Sequence, residues 1–234
     1  MPGWSQQWNG SSGNYNLDSN WTPNPPGTPG SGQTATFGSS GANNITFSQN
    51  NTSIGTWDFT DPVTVQNYTF TLGRNRTLTF DGDGITGEGD KATLTNNRGT
   101  LNFTGTGSIR STAGTATINN QRGTINFRVE SNAGDATITI ERGTLNFRDD
   151  SSAADATIQN NRNLRFRNDS SAGGSNITNT RSLQFLNASG AGDGDAKITN
   201  TSTGDMRFRN TSSAEEASIE NAGSLSFRNA SRAG

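Results

Sequence analysis

The sequence contains no cysteine and no histidine. Without cysteine the chain has neither disulfides nor thiolate metal ligands. Without histidine it lacks imidazole zinc ligands and the general base that most serine and cysteine hydrolases use. No run approaches the roughly 18 apolar residues of a membrane-spanning helix. We therefore expect no disulfide scaffold, no membrane span and no histidine-dependent enzyme.

Hydrophobic residues and net charge are also scarce. Only 27% of the residues are hydrophobic, a level typical of disordered chains. The net charge is −2, so the chain has no global field that would attract nucleic acid, and we expect no specific nucleic-acid partner. The few apolar residues recur in phase, however, and this regularity predicts an ordered fold.

From Leu94 to the C-terminus one sequence repeat occurs seven times, at intervals of 19 to 24 residues. An aliphatic residue and an Asn two positions later are followed by an aliphatic-x-Phe step, as in Ala116–Asn120 and Gly123–Phe127. The repeats define three apolar columns: Leu94, Ile118, Ile138, Ile158, Ile177, Ile198, Ile219; Leu101, Ile125, Leu145, Leu164, Leu183, Met206, Leu225; and Phe103, Phe127, Phe147, Phe166, Phe185, Phe208, Phe227.

A period of about 20 residues is the signature of a solenoid, whose units bury a face only against their neighbours. Alternating apolar and polar residues indicate strands, and parallel crossovers are almost always right-handed. The sequence therefore predicts an all-β, right-handed parallel β-solenoid with rungs of about 20 residues. Phe should stack on Phe about 4.8 Å apart. Small residues such as Ala133-Gly134 should allow a tight corner in each rung.

The asparagines two positions after the first column predict an amide ladder, because a side-chain amide both donates and accepts. Ile140 interrupts this series. We interpret these asparagines as structural: Asn96, Asn120, Asn160, Asn179, Asn200 and Asn221.

Composition divides the chain into three parts. Residues 1–33 are rich in Trp, Pro and Gly, and a proline-rich ending cannot be helix or central strand, so this part is expected to be an N-terminal cap. Residues 34–91 contain short alternating runs, such as 63–65 and 68–72, and are expected to form irregular first rungs. Residues 92–234 should be the regular solenoid.

The N-terminal part also carries a resemblance. Trp8 and Gly10, then Asn20-Trp21, then a Pro/Gly stretch and Gln33–Phe37, resemble the opening of secreted bacterial β-helix proteins of the autotransporter-passenger and adhesin kind. Gln33 stands where Asp is usual in that family. The resemblance implies an extracellular or bacterial cell-surface stalk, adhesin or filament-forming protein. Met1–Trp4 is not a signal peptide, so we expect either that the chain works where it is made or, as the resemblance favours, that a targeting segment lies outside this sequence.

The arginines are the first candidate binding residues. The chain has 16 Arg and 2 Lys, and one series follows the Phe column: Arg128, Arg148, Arg167, Arg209, Arg228. A second series is Arg98, Arg122, Arg142, Arg162, Arg181. Stacked like charges repel, so each column needs counter-charges or a polyanionic ligand. Internal or inter-rung ion pairs are the simpler interpretation; the alternative is a binding module for acidic polysaccharide along the first series.

A candidate metal site is the acidic, glycine-rich segment 81–90. It carries four evenly spaced carboxylates, Asp81, Asp83, Glu88 and Asp90. Oxygen ligands on a flexible loop suit Ca²⁺, although the spacing does not fit an EF-hand. The alternative is a plain exposed loop. We expect no other cofactor.

Other activities are less well supported. The carboxylates of the repeats recur at the same corners, unlike a catalytic pair, so we predict that the protein is not an enzyme. Outward Thr pairs suggest ice binding, but the array loses its regularity at Lys197 and Glu220. We expect a structural or adhesive rod, able to stack end to end through an open strand edge near the C-terminus.

Overall fold

A computed structural model describes residues 4–60, 65–105 and 109–234. Val63, in one of the expected strand runs, lies outside the described residues. The chain is all-β apart from two single-turn 3₁₀ helices, Asp18–Asn20 and Gly89–Lys91, among those residues.

Seven strands precede the regular repeats: β1 (Ser5–Trp8), β2 (Trp21–Thr22), β3 (Thr34–Thr36), β4 (Asn44–Thr46), β5 (Asn51–Phe59), β6 (Tyr68–Leu72) and β7 (Thr77–Gly87). Fourteen strands of more uniform length follow in pairs: β8 (Ala92–Asn96) and β9 (Thr100–Thr104); β10 (Thr117–Asn120) and β11 (Thr124–Arg128); β12 (Thr137–Ile140) and β13 (Thr144–Phe147); β14 (Thr157–Asn160) and β15 (Asn163–Phe166); β16 (Asn176–Asn179) and β17 (Ser182–Phe185); β18 (Lys197–Asn200) and β19 (Asp205–Phe208); β20 (Ser218–Asn221) and β21 (Ser224–Phe227).

The strands form two long sheets. Sheet A has twelve strands in the order β2-β1-β3-β5-β7 and then every odd strand to β21. Sheet B has nine, the even strands from β4 to β20. Neighbours are parallel except for the antiparallel pair β1–β2. The chain thus alternates between the sheets in a parallel β-solenoid of about eight turns, as the repeat predicts.

On a third side of the solenoid, neighbouring rungs are joined by isolated β-bridges of one residue each, and not by strands. Each rung contributes one residue to a parallel column: Gly84, Thr112, Asn132, Ser152, Ser171, Gly190, Ser213 and Arg232. Such short pairing suits the corner residues Ala133-Gly134, where Gly134 has φ +57°. The expected tight corner is confirmed.

The three apolar columns lie inside and in the predicted register. Ile118 pairs with Leu94 and Ile138, and Ile125 pairs with Leu101 and Leu145. The Phe rings stack from Phe80 to Phe227, with centroids 4.7–4.9 Å apart and interplanar angles of 5–9°. This spacing equals the distance between hydrogen-bonded strands, so the pairing of the strands brings the rings into contact.

At the N-terminal end a cluster of larger aromatic rings replaces the single Phe column. Trp57 stands edge-on to Phe80, with centroids 4.8 Å apart, and Trp8 and Trp21 pack edge-to-face. Strand β1 pairs with β2 on one side and β3 on the other. The proline-rich ending, residues 23–33, contains no helix or strand, as expected, whereas Ser5–Trp8, which contains no proline, is an interior strand of sheet A.

The amide ladder lies at the corner between the two sheets. Asn160, Asn179, Asn200 and Asn221 are joined by side-chain hydrogen bonds of 2.7 Å. A glycine immediately precedes five of the seven sheet A strands from β9 to β21. The amides leave no room for a larger residue there: a Cβ on Gly123 would lie 2.2 Å from the amide nitrogen of Asn96.

Candidate functional site

The first arginine series stands along one margin of sheet A. Arg128, Arg148, Arg167, Arg209 and Arg228 each follow the buried Phe of their strand, and Leu186 takes the equivalent place between Arg167 and Arg209. Because Phe points inward, the next side chain points out. Arg128 and Arg228 are exposed and the other three are half-buried. We name these five residues the arginine column.

The expectation that ion pairs neutralise the arginine column is wrong. Three pairs within 4.0 Å occur among the described residues: Lys91–Asp90, Arg110–Glu130 and Arg207–Asp205. None includes a member of either predicted series. The acidic residues near the column lie in the following turn, where the backbone directs them elsewhere: Asp149 accepts a hydrogen bond from the backbone nitrogen of Val129 at 3.2 Å.

The electrostatics of Arg148 reflect this shortage of counter-charge. Burial lowers the pKa of its guanidinium, the charges of Arg128 and Arg167 lower it further, and Asp149 opposes the shift. The Nε atoms of Arg148, Arg165, Arg167 and Arg209 are buried without a hydrogen-bond partner. Like charges about 5 Å apart repel by roughly 1 kcal/mol even in water, so the column is a row of under-compensated positive charge.

A buried serine in each rung fixes the backbone beneath the arginines. Ser151 Oγ accepts from the backbone nitrogen of Arg148 at 2.8 Å and donates to the backbone oxygen of Phe127 at 3.2 Å. Equivalent bonds recur at Ser131, Ser170, Ser189 and Ser212. Our sequence reasoning missed this ladder, although a serine stands four residues after every Phe from Phe127 to Phe227.

The turn after the arginine column requires a left-handed backbone. The residue two positions after each Phe from Phe127 to Phe227 has positive φ: Val129 (61°), Asp149 (59°), Asn168 (61°), Asn187 (64°), Asn210 (64°) and Asn229 (64°). Asn is the residue that best tolerates this region after glycine, because its short side chain hydrogen-bonds locally. A β-branched side chain at Val129 is the exception in the series.

The second arginine series lies at the corner between the sheets, and all five of its members are exposed: Arg98, Arg122, Arg142, Arg162 and Arg181. Each stands two residues after the amide-ladder position. Arg98, Arg122 and Arg142 line a shallow depression of about 460 Å³ together with Asn97, Gln121 and Glu141. This series is a second row of basic side chains without ion pairs in the described part of the chain.

The acidic segment is not a loop where one was expected. Strand β7 continues through Asp81 to Gly87, and Thr56 pairs with Gly84 after a register shift opposite Ile54–Thr56. The glycines make this possible: a Cβ on Gly82 would lie 2.7 Å from the Cα of Gly55. The glycines of this segment allow neighbouring rungs to approach closely, and they do not form the flexible loop that the sequence predicts.

The structure does not bring the four carboxylates of that segment together as ligands. Asp81 accepts hydrogen bonds from Ser31 Oγ at 2.5 Å and from the backbone nitrogen of Gly32 at 3.0 Å. Asp90 pairs with Lys91 at 3.6 Å. Within residues 4–60, 65–105 and 109–234 no group of three or more acidic side chains is placed to hold a metal ion. A Ca²⁺ site at Asp81, Asp83, Glu88 and Asp90 remains a prediction.

No family model, curated protein or solved structure matches this sequence. In the described portion of the chain, none of the helices has the length and apolarity needed to cross a membrane. The fold, a parallel β-solenoid with two rows of arginine that form no ion pairs among the described residues, is therefore the basis for any functional argument.

Proposed function

We propose that the chain is a structural or adhesive protein of the bacterial cell surface or extracellular space that works as a stiff rod. The observation that supports this most directly is the continuous stack of eight Phe rings from Phe80 to Phe227. The serine and asparagine ladders run parallel to it, so adjacent rungs are joined by hydrogen bonds at two further lines. Such repeated neighbour contacts resist bending and proteolysis.

We further propose that residues 1–33 act as a cap. Strand β1 and the bridge between Asn14 and Thr46 cover the first strands of sheets A and B. At the other end β20 and β21 pair on one side only among the described residues, and Leu225 and Phe227 are only partly buried. An edge of this kind accepts further parallel strands, from additional repeats or from a second copy stacked end to end.

An adhesion assay tests the proposed function. The chain should be attached to beads through a tag at its N-terminus and the beads tested for retention on bacterial and host-cell surfaces. Retention above that of beads carrying an unrelated β-solenoid would support an adhesive role. An elongated particle in electron microscopy without retention would support a purely structural rod, and a compact particle would contradict both.

A second candidate function is supported by the unpaired arginine column. A linear acidic polysaccharide laid along sheet A would supply the counter-charges that the chain itself does not provide. Binding should be measured on an array of acidic glycans with Arg128, Arg148 and Arg167 replaced by Gln. The matched control replaces Arg74, Arg110 and Arg232, which removes the same charge elsewhere. Equal binding by both variants would contradict a site at the column.

A further inference from the structure

The outer face of sheet B carries mostly short polar side chains, with Lys197 and Glu220 as its charged exceptions. In each strand the residues on either side of the inward aliphatic point outward, as Thr137 and Thr139 do beside Ile138. Their columns remain in register from β8 to β20, so Thr137 lies between Thr117 and Thr157. These side chains are exposed or half-buried, and the face is free of large apolar groups.

Opposite charges border this face on its two sides. Four exposed acids stand three residues before the inward aliphatic and form what we name the acidic margin: Asp135, Asp155, Asp195 and Glu216. Lys91 holds the equivalent position in the rung of Leu94, so the margin is acidic from Asp135 onward. The exposed arginines four residues after it form the basic margin: Arg98, Arg122, Arg142, Arg162 and Arg181. None of these nine side chains has an ion-pair partner within 4.0 Å among the described residues.

The margins lie at opposite ends of each sheet B strand, which is too far apart for the charges of one margin to neutralise those of the other within a copy. Asp135 and Arg142 are seven residues apart across β12, which spans on the order of 20 Å in extended chain. Along the rod, by contrast, both margins repeat with the rung spacing. The Oδ1 atom of Asp155 lies 2.6 Å from where a Cβ on Gly174 would stand, so the acidic margin follows the same column from rung to rung.

This pattern is complementary to itself in one orientation. If a second copy faces sheet B after a two-fold rotation about an axis parallel to the rod, left and right exchange while height along the rod is kept. The acidic margin of each copy then opposes the basic margin of the other. Both charges are present in the rungs of Ile138 and Ile158, where Asp135 faces Arg142 and Asp155 faces Arg162. If the rotation axis instead follows the strands, acid opposes acid and arginine opposes arginine, which is repulsive.

We propose that two copies of the chain pair side by side through the outer faces of sheet B, with both rods pointing in the same direction. Asp135 and Asp155 of one copy oppose Arg142 and Arg162 of the other, and the Thr137 column packs against the Thr139 column. A second copy fits because it carries both charge signs with the same rung spacing. This inference concerns lateral pairing and does not depend on adhesive function or on end-to-end stacking.

Exposed ion pairs are individually weak, so the pairing relies on their repetition along the rod and is sensitive to salt. Sedimentation equilibrium should be compared at ionic strengths of about 0.01 M and about 1 M, between which the Debye length falls from roughly 30 Å to roughly 3 Å. We expect dimers at low salt and monomers at high salt. A chain that is monomeric at both salt concentrations, or associates equally at both, would overturn the proposal.

Charge reversal identifies the surface. Arg142→Glu with Arg162→Glu, and separately Asp135→Arg with Asp155→Arg, should each lower the self-association constant by more than about tenfold. An equimolar mixture of the two variants should associate again, because one then carries only acidic and the other only basic residues at the altered rungs. The matched control, Asp150→Lys with Asp169→Lys, changes exposed acids in the turn after sheet A and should leave association unchanged.

The equimolar mixture of the two charge-reversal variants separates loss of the charge pairs from loss of folding, because variants that fail to fold would not bind each other. If both variants associate like the original chain, or if the mixture does not recover association, sheet B is not the pairing surface. Orientation is read from one spin label at Ser218→Cys, on the outer face of β20 at one end of sheet B, in a chain that has no other cysteine. A short distance between labels supports parallel rods, and a distance near the rod length overturns them.

Discussion

Asn160 donates from its side-chain amide both to Asn179 Oδ1 at 2.7 Å and to the backbone oxygen of Ser182 at 2.8 Å. One amide thus contacts both the ladder residue and the sheet A strand of the next rung, β17. Before Ile140 the asparagines are not linked through their side chains: Asn96 and Asn120 donate to the backbone oxygens of Thr124 at 3.1 Å and Thr144 at 3.0 Å, and Asn120 Oδ1 is buried without a partner. The hydrogen-bonded ladder therefore runs from Asn160 to Asn221, and Ile140 is the missing member that precedes it.

The substitution Ile140→Asn should restore that member. Its amide would accept from Asn120 and donate to Asn160, offsetting the lost apolar burial, so the free energy of unfolding in urea should change by no more than about 1 kcal/mol or increase. The control is Ile138→Asn, which places the same amide in an apolar column and should cost several kcal/mol, on the order of 3. Equal destabilisation by the two would show that no amide ladder passes through this rung.

The Phe stack should be sensitive to truncation in its middle. Phe147 is fully buried between Phe127 and Phe166, so Phe147→Ala should lower the free energy of unfolding by roughly 3 to 5 kcal/mol. Phe227 touches one ring and is only partly buried, so Phe227→Ala should cost much less. A loss below about 1 kcal/mol at Phe147 would contradict an interior column.

The serine ladder offers a matched pair of positions. Ser151→Ala removes the acceptor of the Arg148 backbone nitrogen and should cost about 1 to 3 kcal/mol. Ser111 is equally buried, but its Oγ lacks a partner in the described chain, so Ser111→Ala should be neutral or stabilising. Denaturant titration of both variants checks the prediction, and similar losses at the two sites would argue against a specific role for the hydrogen bonds.

Val129 is a β-branched residue in the left-handed region, where the neighbouring rungs have Asp or Asn. Val129→Asn should therefore raise the free energy of unfolding by about 1 kcal/mol, because the strained conformation is relieved. The reverse change, Asn168→Val, should lower it by a similar amount. Thermal denaturation of both variants measures the effect; destabilisation by Val129→Asn would mean that Val129 contributes packing that outweighs its strain.

End-to-end stacking is tested at β21. Leu225→Lys puts a charge into the inward column of the outermost strand, so it should abolish filaments seen by electron microscopy at high protein concentration while the folded rungs survive. Ser226→Lys adds the same charge on the outward side of the same strand and should permit filaments. If the unaltered chain remains monomeric under these conditions, stacking through this edge does not occur.

Much of the fold could be predicted because each rung repeats the same few inward residues. The register of Ile118 with Leu94 and the stacking of Phe127 on Phe103 follow from aligning the repeats. The serine ladder was equally regular, but Ser151 is polar and was not recognised as an interior residue. Segment 81–87 was misassigned because glycine serves both loops and closely packed strands. The lack of ion pairs at Arg148 depends on where the next turn points Asp149, which sequence spacing does not reveal.

The amide, serine and phenylalanine lines all connect a rung only to its immediate neighbours, and each neighbour presents nearly the same groups. The regular region therefore has approximate translational symmetry along the rod axis. Loss or duplication of a whole repeat unit, in phase, would leave every remaining junction with compatible partners. Length is thus a property that recombination between repeats can change freely, and the distance over which such a rod reaches can be altered without redesigning its interior.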